Sequence, residues 1–157
     1  MEWNEFDTRV SAYGLIVDER DRILLALWNG EGFAPAQWTL PGGGVELDET
    51  VDQAAVREVR EESGYDIDVG PVLGIDCVTI PTARRLRGDR RPLKGIRVVY
   101  EARIIGGSLR NEIDGTTDEA RWIPLADVPA LNRVELVDAG IGFWRQTRRS
   151  GHDSVNV

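Results

Sequence analysis

Glu58, Glu61 and Glu62 stand at i, i+3 and i+4, with Gly43, Glu49 and Arg57 ahead of them and Gly64 just behind. On a helix, three carboxylates at that spacing share one face within about one turn. Like charges so placed repel by about 0.2–0.5 kcal/mol per pair. Glu61 and Glu62 also fall toward the C-terminal end, where the helix dipole disfavours anions. Two readings are open at this level. The face is a solvated surface whose acids pair with Arg57 and Arg60, or it recovers its repulsion by binding a cation. A hard divalent ion such as Mg²⁺ prefers such oxygen donors, and the chemistry it supports is charge neutralisation on anionic oxygens and positioning of a water.

The elements that must position these acids are well signalled. Thr50 reads as an N-cap, and Gln53 three residues on completes a capping box. Val51, Ala54, Ala55 and Val59 repeat at helical spacing and offer an apolar stripe for docking. Gly64 sits where a left-handed residue ends a helix. Before the helix, Leu40-Pro41-Gly42-Gly43-Gly44-Val45 is not regular helix, and its glycines permit close approaches that side chains would block. The unit reads as a short strand (Trp38–Leu40), a glycine-rich loop and a helix carrying the carboxylates.

The segment Gly43-x5-Glu49-x7-Arg57-Glu58-Val59-x-Glu61-Glu62-x-Gly64-Tyr65 resembles the signature box of the Nudix hydrolases, which cleave a nucleoside diphosphate linked to another group. Gly43, Glu49, Arg57, Glu58, Glu61, Glu62 and Gly64 each hold the residue that pattern requires. Val59 fits an aliphatic position, and Tyr65 departs from one by being aromatic. The resemblance implies an α/β fold, an α/β/α sandwich with a mixed β-sheet between helices. By the same resemblance Glu58, Glu61 and Glu62 hold Mg²⁺, for which Mn²⁺ can substitute. The backbone carbonyl of Gly42 is a further ligand. Arg57 pairs with box carboxylates and fixes their rotamers, Glu49 holds loop to helix, and Gly43 and Gly64 are structural. Arg57, Glu58, Glu61 and Glu62 are therefore the candidate catalytic residues.

The implied reaction is Mg²⁺-dependent hydrolysis of the diphosphate in a nucleoside diphosphate derivative. Nucleoside triphosphates, oxidised purine nucleotides among them, and nucleotide sugars such as ADP-ribose are the substrate classes. For the general base, Glu61 is one candidate, and some relatives draw it from a loop outside the box. Residues 113–122 resemble the acidic loop that precedes a Trp-bearing strand in many relatives. Glu119 and Asp118 are the candidates there for an extra acid or base, with Asp114 behind them. Each reads more readily as an exposed loop acid. Two alternatives differ in class. One is a non-catalytic nucleotide-sensing domain that regulates a partner, although such domains usually lose the box carboxylates. The other is a metal-dependent isomerase, which would need a catalytic cysteine, and only Cys77 is present.

Composition fits one compact domain over residues 1–149 with a polar tail at 150–157. Of 157 residues, 41% are hydrophobic and 29% charged, ordinary for a globular chain. Cys77 stands alone, excludes an intramolecular disulfide and reads as a small core residue. No apolar run is long enough to span a membrane and the acidic N-terminus is not a signal peptide, so the expected setting is cytoplasmic. His152 is the only histidine and lies in the tail, which argues against histidine-based chemistry.

A net charge of −8 argues against long nucleic acid as a partner and leaves a small-molecule nucleotide as the expected one. The charge is uneven. Residues 83–97 hold seven basic residues against one acid, Asp89. Arg84, Arg85 and Arg87 are the candidates for gripping phosphate, against the alternatives of a solvated hairpin loop or a contact with an acidic partner subunit. Family members often dimerise, so a homodimer stays open. Val10–Val17, Ile23–Trp28, Ile67–Ile80, Ile96–Ile105 and Ala120–Leu125 read as strands, and Val134–Arg148 as a helix. Trp28 and Trp38 are placed to flank a nucleobase, although Trp38 reads more readily as core.

Overall fold

The computed structural model describes residues 1–85 and 91–153, and the side chains of all but the last two of these. Arg87 of the basic loop and residues 154–157 of the tail lie outside the described residues. In chain order the elements are β1 (Asp7–Leu15), β2 (Arg22–Trp28), β3 (Gln37–Thr39), β4 (Gly42–Gly44), α1 (Val51–Ser63), β5 (Tyr65–Ile80), β6 (Leu93–Gly107), β7 (Thr117–Pro124) and α2 (Glu135–Asp153). One sheet runs β4-β1-β6-β5 and is mixed, because β1 and β6 are parallel while the other pairs are antiparallel. A second, antiparallel sheet runs β3-β2-β7.

Strand β2 shows why helices lie on both sides. Ile23, Leu24, Leu25 and Ala26 are all fully buried, an unbroken apolar run rather than an alternating one. Ile23 and Leu25 join the cluster that includes Leu136, Val137 and Ile141 of α2. Leu24 joins the cluster around Val59 of α1. A strand covered on both faces needs no polar side. Small residues set the spacing of α1, since Ala54 and Ala55 pack directly on Ala12 of β1.

Several bounds differ from the sequence-based expectation. The glycine run is not a loop. Gly42, Gly43 and Gly44 pair with Tyr13, Ala12 and Ser11 as the edge strand β4. β7 begins at Thr117, which makes Asp118 and Glu119 strand residues rather than loop residues. α2 runs beyond Arg148 to Asp153, taking in the start of the expected tail. Cys77, expected in the core, is exposed, because β5 is the outer strand of its sheet and bonds only to β6. Among the described residues no helix is long and apolar enough to cross a membrane.

Candidate active site

The helix that carries the carboxylates is fixed at both ends. The Thr50 N–H donates to Gln53 Oε1 at 2.9 Å and the Thr50 hydroxyl to Asp52 at 2.5 Å, so the first turn is capped. At the other end Gly64 takes φ 79°, and its N–H donates to the Arg60 carbonyl. A residue with a Cβ would be strained there.

Arg57 is the hub of the site. Its Nε and Nη2 donate to the two oxygens of Glu49 at 3.0 and 2.6 Å, a bidentate pair. Nη1 donates to Glu58 at 2.9 Å and to Glu61 at 3.2 Å, and Nη2 also reaches the Gly44 carbonyl at 3.1 Å. One planar guanidinium thus joins the post-glycine loop, three carboxylates and β4. The same contacts hold the Glu49 carboxyl down at about 2, chiefly through the Arg57 hydrogen bonds.

Glu62 lies deepest, 4% exposed, and its Oε2 accepts the Gly42 N–H at 2.8 Å. No Arg or Lys among the described residues pairs with it. Burial, followed by the charges of Glu58, Glu112 and Glu61, pushes its carboxyl well above 4.5, against the opposing Gly42 hydrogen bond. Burial also raises the Glu58 carboxyl, with Arg57 opposing. Glu58 rests over Gly43, where an added Cβ would lie 2.5 Å from Glu58 Oε1. On the next residue, a Cβ on Gly44 would lie 2.8 Å from Arg9 Nη2. Successive strand residues face opposite sides, so Glu58 and Arg9 occupy opposite faces of β4.

These groups open into a cleft of about 540 Å³. Its lining includes Arg9, Ser11 and Tyr13 of β1, Glu58, Glu61 and Glu62 of α1, Arg97 of β6, Trp28, and Glu112 of the loop before β7. The acids suit a hard cation by donor type, and the buried Glu62 is the group such an ion would relieve. Among the described residues no three His, Cys, Asp or Glu side chains are placed to hold a metal ion by themselves. Mg²⁺ does not need such a set, since it is commonly held by one or two carboxylates together with water and substrate phosphates.

Asp118 and Glu119 do not line the cleft. Asp118 accepts from Asn29 Nδ2 at 3.2 Å, and Glu119 pairs with Arg121 at 2.5 Å. Besides Glu31, the acid outside the box that does line it, unanticipated from sequence, is Glu112. Its Oε2 accepts from both the N–H and the hydroxyl of buried Thr117, at 2.9 and 2.7 Å. A signal lay in Thr117 itself, a β-branched residue that extends β7 back toward the loop. Nor do Arg84 and Arg85 line the cleft. Arg85 pairs with Asp7 and donates to the Arg91 carbonyl at 2.8 Å, tying the root of the basic loop to β1. Trp28 lines the cleft, whereas Trp38 is buried in the core with Arg121 over its ring.

Comparison with known proteins agrees with this arrangement. The sequence model of the NUDIX domain matches residues 7–143. The chain is 35% identical over 118 residues to an ADP-ribose pyrophosphatase of Methanocaldococcus jannaschii, covering 74% of this chain and 62% of that protein. It is 28% identical over 140 residues to the human 8-oxo-dGDP phosphatase NUDT18, covering 85% of this chain and 39% of that protein. The chain spans less than half the length of several curated relatives that it matches. A solved NUDIX hydrolase from Nitrosomonas europaea superposes with a TM-score of 0.75 at 22% identity, over 90% of both chains. With the family match spanning β1 to α2 and the fixed box residues running from the glycine strand through α1 to its C-cap Gly64, the chain belongs to the Nudix family.

Proposed function

We propose that the chain is a Mg²⁺-dependent pyrophosphohydrolase acting on a small nucleoside diphosphate derivative. The observation that carries this reading is Glu62, buried, with no cation partner among the described residues and with other carboxylates around it. Glu58, Glu61, Glu62 and the Gly42 carbonyl are the donors from which Mg²⁺ would draw its protein ligands, water and substrate phosphates completing the set, and when bound it supplies the positive charge that neutralises phosphate oxygens. Arg57 holds Glu58 and Glu61 in place through Nη1. Trp28 offers an aromatic face for a base. Hydrolysis then needs a group to accept a proton from the attacking water. Glu112 is our assignment for it, because Thr117 occupies its Oε2 and fixes its orientation within the cleft.

Glu112→Gln is expected to lower kcat by about 10²–10⁴-fold with an unchanged melting profile. Glu119→Gln is expected to stay within about twofold of wild type, since Glu119 faces away. Equal losses in the two variants would return the role to the acids of β7. The defining experiment is a phosphate-release screen with Mg²⁺ over canonical and oxidised nucleoside triphosphates, ADP-ribose, nucleotide sugars and dinucleoside polyphosphates. Turnover of one class, absent in Glu62→Gln, supports the reading. Binding without turnover across the panel would favour a nucleotide sensor.

A further inference from the structure

Strand alternation places Arg9, Ser11 and Tyr13 on the cleft face of β1. Tyr13 lies opposite Gly42 and Ser11 opposite Gly44, so Arg9 is one step further out along the strand. Its guanidinium lies against Gly44, where the missing Cβ leaves the room. The other cation of the cleft is spent internally, because Arg97 forks onto Asp76, with Nε at 2.7 Å. Among the described residues no acid pairs with Arg9, although the cleft is rich in carboxylates. An arginine left uncommitted beside such a cluster is a ready receptor for a tetrahedral oxyanion.

The lining of the cleft is mixed in chemistry. Trp28, Val134 and Leu136 contribute apolar side chains, and Arg9, paired in register with Gly95 two residues from Leu93, contributes a guanidinium. We propose that Arg9 receives the terminal phosphate of the substrate, which makes the cleft selective for nucleoside di- or triphosphates over nucleotide sugars. This rests on the hydrolase reading for its orientation, with the base at Trp28 and the phosphate chain running past the carboxylates. A terminal monoester phosphate presents several free oxygens to a guanidinium fork. The internal phosphate of a nucleotide sugar is substituted on both sides and presents fewer.

The test is titration of inorganic pyrophosphate, in the presence of Mg²⁺, into wild type, Arg9→Gln, Arg9→Lys and Arg103→Gln. Arg9→Gln is expected to weaken pyrophosphate at least tenfold. Arg9→Lys recovers only part of that affinity, because an ammonium cannot fork. Arg103→Gln, which removes the same charge from an exposed pair with Asp68, is expected to leave the affinity unchanged. In turnover, Arg9→Gln raises KM for a nucleoside triphosphate at least tenfold and leaves KM for ADP-ribose within twofold. Equal pyrophosphate affinity in wild type and Arg9→Gln would overturn the proposal, as would an equal KM rise for both substrate classes. A wild type that turns over nothing would overturn the hydrolase reading, while the pyrophosphate comparison would still decide the role of Arg9. Gly44→Ala, whose Cβ crowds Arg9, is expected to weaken pyrophosphate in the same direction.

Discussion

Glu62→Gln is expected to lose at least about a hundredfold in kcat/KM, and yet to melt at a higher temperature than wild type when metal is absent. The loss follows from removing one charged donor of the site, a contribution of several kcal/mol at about 1.4 kcal/mol per factor of ten. The gain follows from burial. The folded carboxyl ionises only well above 4.5, so ionisation is harder in the fold than in the unfolded chain. For a carboxylate raised in this way, stability falls as pH rises above 4.5 through the folded value, and the penalty persists at higher pH. Glutamine carries no such penalty and can still accept the Gly42 N–H. Adding Mg²⁺ should raise the melting temperature of wild type and leave that of the variant unchanged. Calorimetry near neutral pH, with and without Mg²⁺, checks both signs, and a variant less stable than metal-free wild type would contradict the account of Glu62.

Arg57→Ala should lower activity by about 10–100-fold and weaken Mg²⁺ binding, although Arg57 need not touch the substrate. It strips donors from Glu49, Glu58, Glu61 and the Gly44 carbonyl together. Arg57→Lys keeps the charge, but one ammonium cannot span those acceptors, so activity should stay low. The acid limb of the stability curve gives an independent readout. Glu49, held at about 2, contributes stability that is present above 4.5 and lost as pH falls toward 2. In Arg57→Ala that contribution disappears, and stability should vary less between pH 5 and pH 2. Full activity in Arg57→Lys would show that charge alone suffices.

The helix and its acids were legible because their signals are local. Thr50 with Gln53 marks one end of α1, Gly64 marks the other, and the spacing of Glu58, Glu61 and Glu62 is fixed by the turn between them. Strand β4 was not legible. Glycine carries no strand preference, and Gly42–Gly44 is a strand only because β1 presents backbone to it, a tertiary effect. Glu112 was hidden for a related reason. Its loop has no periodicity, and only the fold brings it to the carboxylates. Asp118 and Glu119 looked better placed in sequence, but early entry into β7 commits them to Asn29 and Arg121. The basic segment is a charge excess visible in composition, yet Arg85 and Arg97 are tied to Asp7 and Asp76, contacts made between separate elements.

A bare three-residue strand stands between Glu58 on one face and Arg9 on the other. It works as a septum of main chain, too thin to bury either charge but enough to keep the two side chains from neutralising each other. Had the strand carried ordinary side chains, neither group could have settled against it, and had it been absent, the guanidinium and the carboxylate could have collapsed into a pair. Opposite charges are thereby stored within a residue of each other, and what passes along the rim of the strand meets both.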